Sequence, residues 1–154
     1  MKSAAVLFVA AVLVIGLSTC GGSGGGGGAS LSPPAFTNLG GTRWSEIDTV
    51  SAGSSCNIGI GVTDPFTLHV LAQSGNTISV YDERSGSSNA TNATLSGYVI
   101  TYSGSRYPVG GCATMTANYN VTLNSAGTAY TGSATLTCQD NGCAVPVSVS
   151  ATKM

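Results

Sequence analysis

The chain has 154 residues, only 7% of them charged, and its formal net charge at pH 7 is −1. Its few basic residues are scattered along the sequence without a run, whereas a nucleic-acid surface needs clustered positive charge. The composition therefore predicts no nucleic-acid partner. The abundance of valine, isoleucine and threonine is typical of a folded β-protein rather than a disordered one.

The chain begins with the pattern of a bacterial export signal. Lys2 precedes an apolar stretch over residues 4–17. As a helix rising about 1.5 Å per residue, this stretch is too short to cross a hydrocarbon core of ~30 Å. Its length is that of the hydrophobic region of a signal peptide, which we predict over residues 1–19.

The four residues Leu17-Ser18-Thr19-Cys20 resemble the lipobox of bacterial lipoproteins. The resemblance implies that Cys20 is linked to diacylglycerol and becomes the new N-terminus, so that the membrane is a partner. Because Gly21 and not aspartate follows the cysteine, a Gram-negative lipoprotein of this kind would pass to the outer membrane, on its periplasmic or cell-surface face. The alternative is an ordinary signal peptide cut after Ser18.

Residues 20–40 are predicted to form a flexible tether. Residues 21–28 are seven glycines and one serine, and prolines and glycines follow. Such a sequence behaves as a flexible coil. A spacer of this kind suits a lipid anchor, and it leaves residues 41–154 as a single domain.

Period-two alternation of apolar and polar residues begins at Thr42 and continues to the C-terminus, with no helical periodicity. Gly97 is predicted to mark a bulge in a strand over residues 95–102. Pro146 cannot donate to a strand ladder, so we expect it at an edge or on an unpaired side. After a first strand near Trp44, strands are predicted over residues 66–72, 78–82, 95–102, 112–123, 129–138 and 145–151.

Seven or eight sequential strands joined by short turns predict an all-β antiparallel meander, closed as an up-and-down barrel or, alternatively, folded as a β-sandwich. Closure removes exposed edges, which this charge-poor domain would otherwise need to protect. The strand rhythm and Gly41-Thr42-Arg43-Trp44 resemble lipocalins, which carry Gly-x-Trp at the first strand. The resemblance implies a lipocalin-like, non-enzymatic barrel that binds a small ligand.

Four cysteines remain after Cys20, and an even number in a small exported domain predicts two disulfides. Of the three possible connectivities we predict Cys138–Cys143, across a four-residue turn, with Cys56–Cys112. The spacing is a poor match to a zinc site because the chain has one histidine. No metal or cofactor is predicted.

The predicted inward faces of the later strands mix small residues with larger apolar and phenolic ones. Tyr98, Met115, Tyr119 and Tyr130 are the predicted ligand-binding residues of an apolar cavity inside the barrel. The alternative is that the small residues only permit close packing. The domain would then be a structural or interaction module with a filled core, contacting a protein or glycan through loops around residues 82–92 and 103–111.

No catalytic site is predicted. His69 has no partner in the sequence and is interpreted as a surface histidine. Glu46 and Asp48 lie on one face of a strand, but nothing places them at a substrate cleft. The run Asp82-Glu83-Arg84 is interpreted as a solvated loop tip, and Trp44 as a core residue.

Overall fold

The computed structural model describes residues 38–106 and 111–154. The predicted signal peptide, Cys20 and most of the predicted tether lie outside the described residues. None of the helical segments in the described part is long and apolar enough to span a membrane. Eight strands form: β1 (Arg43–Val50), β2 (Thr63–Ser74), β3 (Thr77–Asp82), β4 (Thr91–Ser96), β5 (Val99–Arg106), β6 (Met115–Leu123), β7 (Ala129–Cys138) and β8 (Ala144–Lys153).

Each strand pairs antiparallel with the next, and β1 pairs with β8, which closes the barrel. The predicted all-β, up-and-down barrel is therefore confirmed. Tight turns at residues 75–76, 97–98 and 124–128 occupy one end, called the turn end here. The loop end is formed by residues 51–62, 83–90, 111–114 and 139–143. Leu39 is buried at the turn end, where its N–H donates to Gln73 Oε1 at 2.6 Å.

The predicted strand over residues 95–102 is two strands. Gly97 has a φ of 59°, which lets the chain reverse between β4 and β5 and puts Tyr98 in the turn. The predicted bulge at Gly97 is therefore wrong. The irregularity lies in β2 instead, where the register shifts between Val70 and Ala72.

Pro146 lies where its missing N–H leaves no gap in the ladder. β1 ends at Val50, opposite Val147 of β8. The next residue, Ser51, donates to the Pro146 carbonyl at 2.9 Å. Since the N and O of one residue in an antiparallel strand face the same neighbour, the proline nitrogen faces the chain just beyond β1. This confirms the expectation of an unpaired side.

Side chains fill the barrel interior, with Trp44 buried as predicted. Among the described glycines, Gly132 of β7 makes the closest approach to a neighbouring backbone. A Cβ there would lie 2.2 Å from Asn120 O and 2.6 Å from Val121 Cα of β6. Only glycine permits this approach of the two backbones.

Both disulfides lie at the loop end, but the predicted pairing is wrong: Cys56 bonds Cys143, and Cys112 bonds Cys138. Cys138 donates its backbone N–H to the Cys143 carbonyl at 2.9 Å. The Cys143 N–H donates instead to Asn141 Oδ1 at 3.0 Å, and the Cys138 carbonyl accepts from Gly142, so these two residues close the turn through their backbones while their sulfur atoms bond other cysteines. The loop over residues 51–62 brings Cys56 to Cys143, with 5.1 Å between Cα atoms.

Candidate functional site

A buried ionic cluster lies inside the barrel toward its loop end. Arg106, the last residue of β5, is 6% exposed and contacts aspartates from three other strands. Its Nη2 donates to Asp48 Oδ2 at 3.0 Å and to Asp64 Oδ2 at 2.9 Å. Its Nη1 donates to Asp82 Oδ2. Barrel closure therefore joins β1, β2, β3 and β5 through one guanidinium.

Arg84 completes the cluster from just beyond β3. Its Nη1 donates to Asp64 Oδ1 at 2.7 Å and its Nη2 to Asp82 Oδ2 at 2.8 Å. Both guanidinium groups lie over the Phe66 ring, with Arg106 Cζ 3.7 Å and Arg84 Cζ 4.9 Å from its centroid. The ionic cluster is thus Asp48, Asp64, Asp82, Arg84 and Arg106.

The interpretation of Asp82-Glu83-Arg84 as a solvated loop tip is therefore wrong for Asp82. Asp82 is 8% exposed and faces inward at the end of β3. The Arg84 side chain folds back onto Asp82 but stays 27% exposed, and the Glu83 side chain is 52% exposed. The arginines neutralise buried carboxylates that sequence proximity did not reveal.

Glu46 and Asp48 lie side by side on the inner face of β1, and Glu46 has no exposed surface. Tyr119 donates its hydroxyl to Asp48 Oδ2 at 2.7 Å, and Tyr130 donates to Glu46 Oε2. Among the described residues, no N–H or hydroxyl group donates to Glu46 Oε1 or Asp48 Oδ1. A single proton shared between the two carboxyl groups gives both oxygens a hydrogen-bond partner, because a protonated carboxyl group donates through one oxygen to the other carboxylate.

Burial and the neighbouring Asp48 charge raise the pKa of Glu46 from 4.5 to about 8, against the opposing effects of Tyr130 and Arg106. Burial also raises the pKa of Asp48, although Arg106 and Tyr119 counteract it. Glu46 therefore keeps its proton at pH 7.

With Glu46 neutral, the ionic cluster holds three carboxylates against two guanidinium groups, an excess of one negative charge. The other described cations do not reach it. The Arg43 guanidinium lies 3.5 Å from the Glu83 carboxylate, and Lys153 lies opposite Trp44 in the β1–β8 register, at the turn end. The excess negative charge of the ionic cluster therefore lies at the loop end of the barrel and is not neutralised by another described cation.

Three of the four predicted ligand-binding residues lie inside the barrel. The Tyr119 ring stacks on Tyr102 with centroids 4.4 Å apart, and Tyr130 packs against Trp44 at 5.1 Å. Met115 is buried nearer the loop end, and Tyr98 lies half-buried in the β4–β5 turn. The free spaces beside Tyr119 and Tyr130 measure about 20 and 10 Å³, whereas Met115 lines a space of about 260 Å³ at the loop end, next to the two disulfides. Each of the two smaller spaces has room for about one water molecule.

Another space, called the mouth pocket here, opens at the loop end between the β1–β2 loop and the barrel wall. Its volume is about 170 Å³. It is lined by the apolar side chains of Val50, Ile58, Val62, Leu136, Val145 and Val147 and by Thr63, Asp48 and Asp64. The pocket therefore joins an apolar wall to two carboxylates of the ionic cluster.

The remaining candidate residues do not converge on this site. His69 lies on the outer wall, where its ring stacks on Tyr81 at 4.7 Å and its Nε2 is 3.7 Å from Glu83. In the described part of the chain, one group of side chains has the spacing of metal ligands, formed by Cys112, Cys138 and Asp140. Its sulfur atoms are joined in a disulfide and are not thiolate ligands.

Sequence reasoning missed Arg106. Alternation along the strand could have identified it. Arg106 lies an even number of residues from Ile100 and Tyr102, whose side chains face the interior in β5, so its own side chain faces the interior too. The same alternation puts Glu46 and Asp48 on the face of β1 that carries Trp44 and faces the interior. Buried acids on one strand require a buried cation elsewhere, and a cation at an inward position is the candidate.

No family model, curated protein or solved structure matches the chain. The resemblance to lipocalins therefore stays a prediction from strand rhythm and the first-strand tryptophan, and functional reasoning must start from the geometry of this barrel.

Proposed function

We propose that this chain is an exported, lipid-anchored protein of the bacterial envelope, non-enzymatic, whose barrel is an interaction module that presents its loop end to a protein partner. The observation that carries the proposal is that the barrel interior is filled in its middle and at its turn end. Aromatic rings, aliphatic side chains and the ionic cluster leave spaces of about 20 and 10 Å³ there. This favours the interaction module over a carrier that encloses a ligand.

The two ends of the barrel differ in a way that supports this assignment. The turn end is closed by short turns and by Leu39. The loop end carries the longer connections, both disulfides and an exposed apolar residue, Ile60, at 73% exposure. Loops fixed by a rigid scaffold are the usual carriers of recognition, and the disulfides reduce the entropy lost on binding.

Two features support this cellular location. Two disulfides are typical of proteins in oxidising compartments. The lipobox-like residues ending at Cys20 and the glycine-rich tether support membrane anchoring. A tethered barrel would stay close to one membrane surface while its loop end remained free to meet a partner.

Site-specific photocrosslinking in the native envelope tests the proposal. A photoreactive residue replaces exposed Asn57 or Ile60 at the loop end, and exposed Asn76 or Ser125 at the turn end as matched controls. We expect a discrete crosslinked partner from both loop-end positions and none from the turn-end positions. Equal crosslinking from the two ends, or crosslinking from the turn end alone, would contradict the proposal.

A further inference from the structure

Part of the β1–β2 loop crosses the loop end of the barrel as a strap, defined here as residues 56–60. Just before the strap, Ser55 donates its N–H to the Ala144 carbonyl of β8 and accepts the Ala144 N–H at its Oγ, both at 2.8 Å. In the described part of the chain, the hydrogen bonds of residues 56–60 stay within the β1–β2 loop. The strap itself is therefore tied to the wall beside β8 through the Cys56–Cys143 disulfide.

The strap covers aliphatic residues at the mouth of the barrel. Its Ile58 packs against the core and borders both the mouth pocket, of about 170 Å³, and the space of about 260 Å³ beside the disulfides. Leu136, Val145 and Val147 line the mouth pocket and are no more than 3% exposed. Moving Ile58 away would join the two spaces and expose this aliphatic wall to water.

The two disulfides differ in exposure. Both border the 260 Å³ space at the loop end. In the buried disulfide, Cys112 is 9% and Cys138 2% exposed, whereas both cysteines of the strap disulfide, Cys56 and Cys143, are half-buried. Because thiol–disulfide exchange requires a thiolate to reach a sulfur atom, the strap disulfide is the more open of the two to reduction.

The disulfides also differ in what else holds the segments that they join. Beside the buried disulfide, Gln139 donates its N–H to the Thr114 carbonyl at 2.9 Å, and Ala113 donates to Asp140 Oδ2 at 2.6 Å. These hydrogen bonds join the same two segments, so the segments stay together without the covalent bond. For the strap, the described hydrogen bonds to the barrel wall stop at Ser55.

We propose that the strap disulfide is a redox switch for the loop end. When oxidised, it holds the strap over the mouth. When reduced by a dithiol, it releases residues 56–60 and uncovers the aliphatic wall, while the barrel and the buried disulfide stay intact. Exposed Asn57 and Ile60 move with the strap, so reduction also removes the fixed surface that the loop end presents to its partner. This last consequence rests on the proposed function, whereas the opening of the strap does not.

The reductant that fits is a protein dithiol, which supplies both electrons. Its first thiolate bonds one sulfur of the strap disulfide, the bond between Cys56 and Cys143 breaks, and the other sulfur leaves as a thiolate and takes a proton. The second thiol of the reductant then displaces the first sulfur. Cys56 and Cys143 end as two thiols, and the reductant ends as a disulfide.

Stepwise reduction of the full-length mature protein, in detergent micelles at pH 7, tests the switch. Dithiothreitol is the reductant, iodoacetamide traps the freed thiols, and peptide mapping identifies them. Opening of the strap is followed by Ile58 methyl NMR and by hydrogen exchange of the Ile58 amide, which donates to the Cys56 carbonyl at 2.7 Å. Hydrogen exchange in β6 and β7 reports the state of the barrel. Two paired variants are compared: Cys56→Ala with Cys143→Ala lacks the strap disulfide, and Cys112→Ala with Cys138→Ala keeps it.

We expect the strap cysteines to be alkylated at least about tenfold sooner than the buried pair. Exchange of the Ile58 amide should then quicken at least about tenfold, with exchange in β6 and β7 unchanged. In Cys56→Ala with Cys143→Ala this exchange should be fast before any reductant is added. In Cys112→Ala with Cys138→Ala it should be slow until dithiothreitol is added.

Earlier reduction of the buried disulfide, or reduction of the strap disulfide that leaves Ile58 unchanged, would overturn the switch. Loss of protection throughout β6 and β7 would overturn it as well, because the disulfide would then hold the whole barrel and not the strap. Photocrosslinking from position 60 separates this inference from the proposed function. Crosslinks that persist after reduction would overturn redox control of the partner, whereas their absence from the oxidised protein would contradict the interaction module and leave the strap to be decided by alkylation and exchange.

Discussion

Glu46 should make the barrel less stable as the pH rises. Its pKa is about 8 in the folded protein, against a usual 4.5. Between these values the folded state binds more protons than the unfolded state, so the free energy of unfolding falls with increasing pH. The Glu46 contribution is complete below about pH 4.5 and is lost once the pH has passed about 8.

The magnitude is large on the scale of a single domain. Each tenfold change in a proton-dissociation constant corresponds to about 1.4 kcal/mol, so the full effect is about 5 kcal/mol. Domains of this size are stable by roughly 5–15 kcal/mol in total. Glu46→Gln keeps the shape of the side chain, can donate to Asp48 and accept from Tyr130, and carries no titrating proton.

The assay is urea unfolding between pH 5 and pH 9, with carboxyl ¹³C NMR to follow Glu46 directly. The wild type should lose several kcal/mol over this range, and Glu46→Gln should lose much less. Any remaining loss has the same sign, because the pKa of Asp48 is also raised. Tyr130→Phe removes a hydrogen bond that lowers the Glu46 pKa, so the NMR midpoint should rise further. A wild-type stability that is flat with pH, or an unchanged slope in Glu46→Gln, would refute this reasoning.

Three further changes test other parts of the structure by urea unfolding. Arg106→Met leaves its aspartate partners without their buried cation and should cost about 3–5 kcal/mol; a cost below 1 kcal/mol would contradict the cluster. Gly132→Ala puts a methyl group against the backbone of β6 and should cost about 1–3 kcal/mol or more, whereas a neutral result would contradict that close approach. The paired change Cys56→Ala with Cys143→Ala opens the longer disulfide loop, with a sequence separation of 87, and should cost about 5 kcal/mol. Peptide mapping of the non-reduced protein should recover this linkage, and a Cys138–Cys143 peptide would contradict it.

The barrel was predictable because its signals are local. Alternation along β6 and β7 identifies the inward residues, and glycine-containing turns such as the one at Gly75 separate the strands. Closure followed from the number of sequential strands and the scarcity of edge-protecting charge. The β4–β5 hairpin was missed because Gly97 suits either a bulge or a turn, and pairing with both neighbours decides between them.

The ionic cluster and the disulfide pairing depend on contacts between distant strands. Asp48 and Arg106 are 58 residues apart and meet only when the barrel closes. Cys56 and Cys143 are 87 residues apart, and the β1–β2 loop must fold over the loop end before they approach. A short sequence separation favoured Cys138–Cys143, but local proximity does not decide which sulfur atoms face each other.

Native mass spectrometry of the mature protein, purified from its own envelope, tests the central claim of a filled barrel most directly. Spectra are taken under gentle and then denaturing conditions. We predict a polypeptide with diacylglycerol on Cys20 and two disulfides, from which denaturation releases no neutral apolar molecule. Release of a discrete neutral apolar molecule would contradict the filled interior and identify the protein as a carrier.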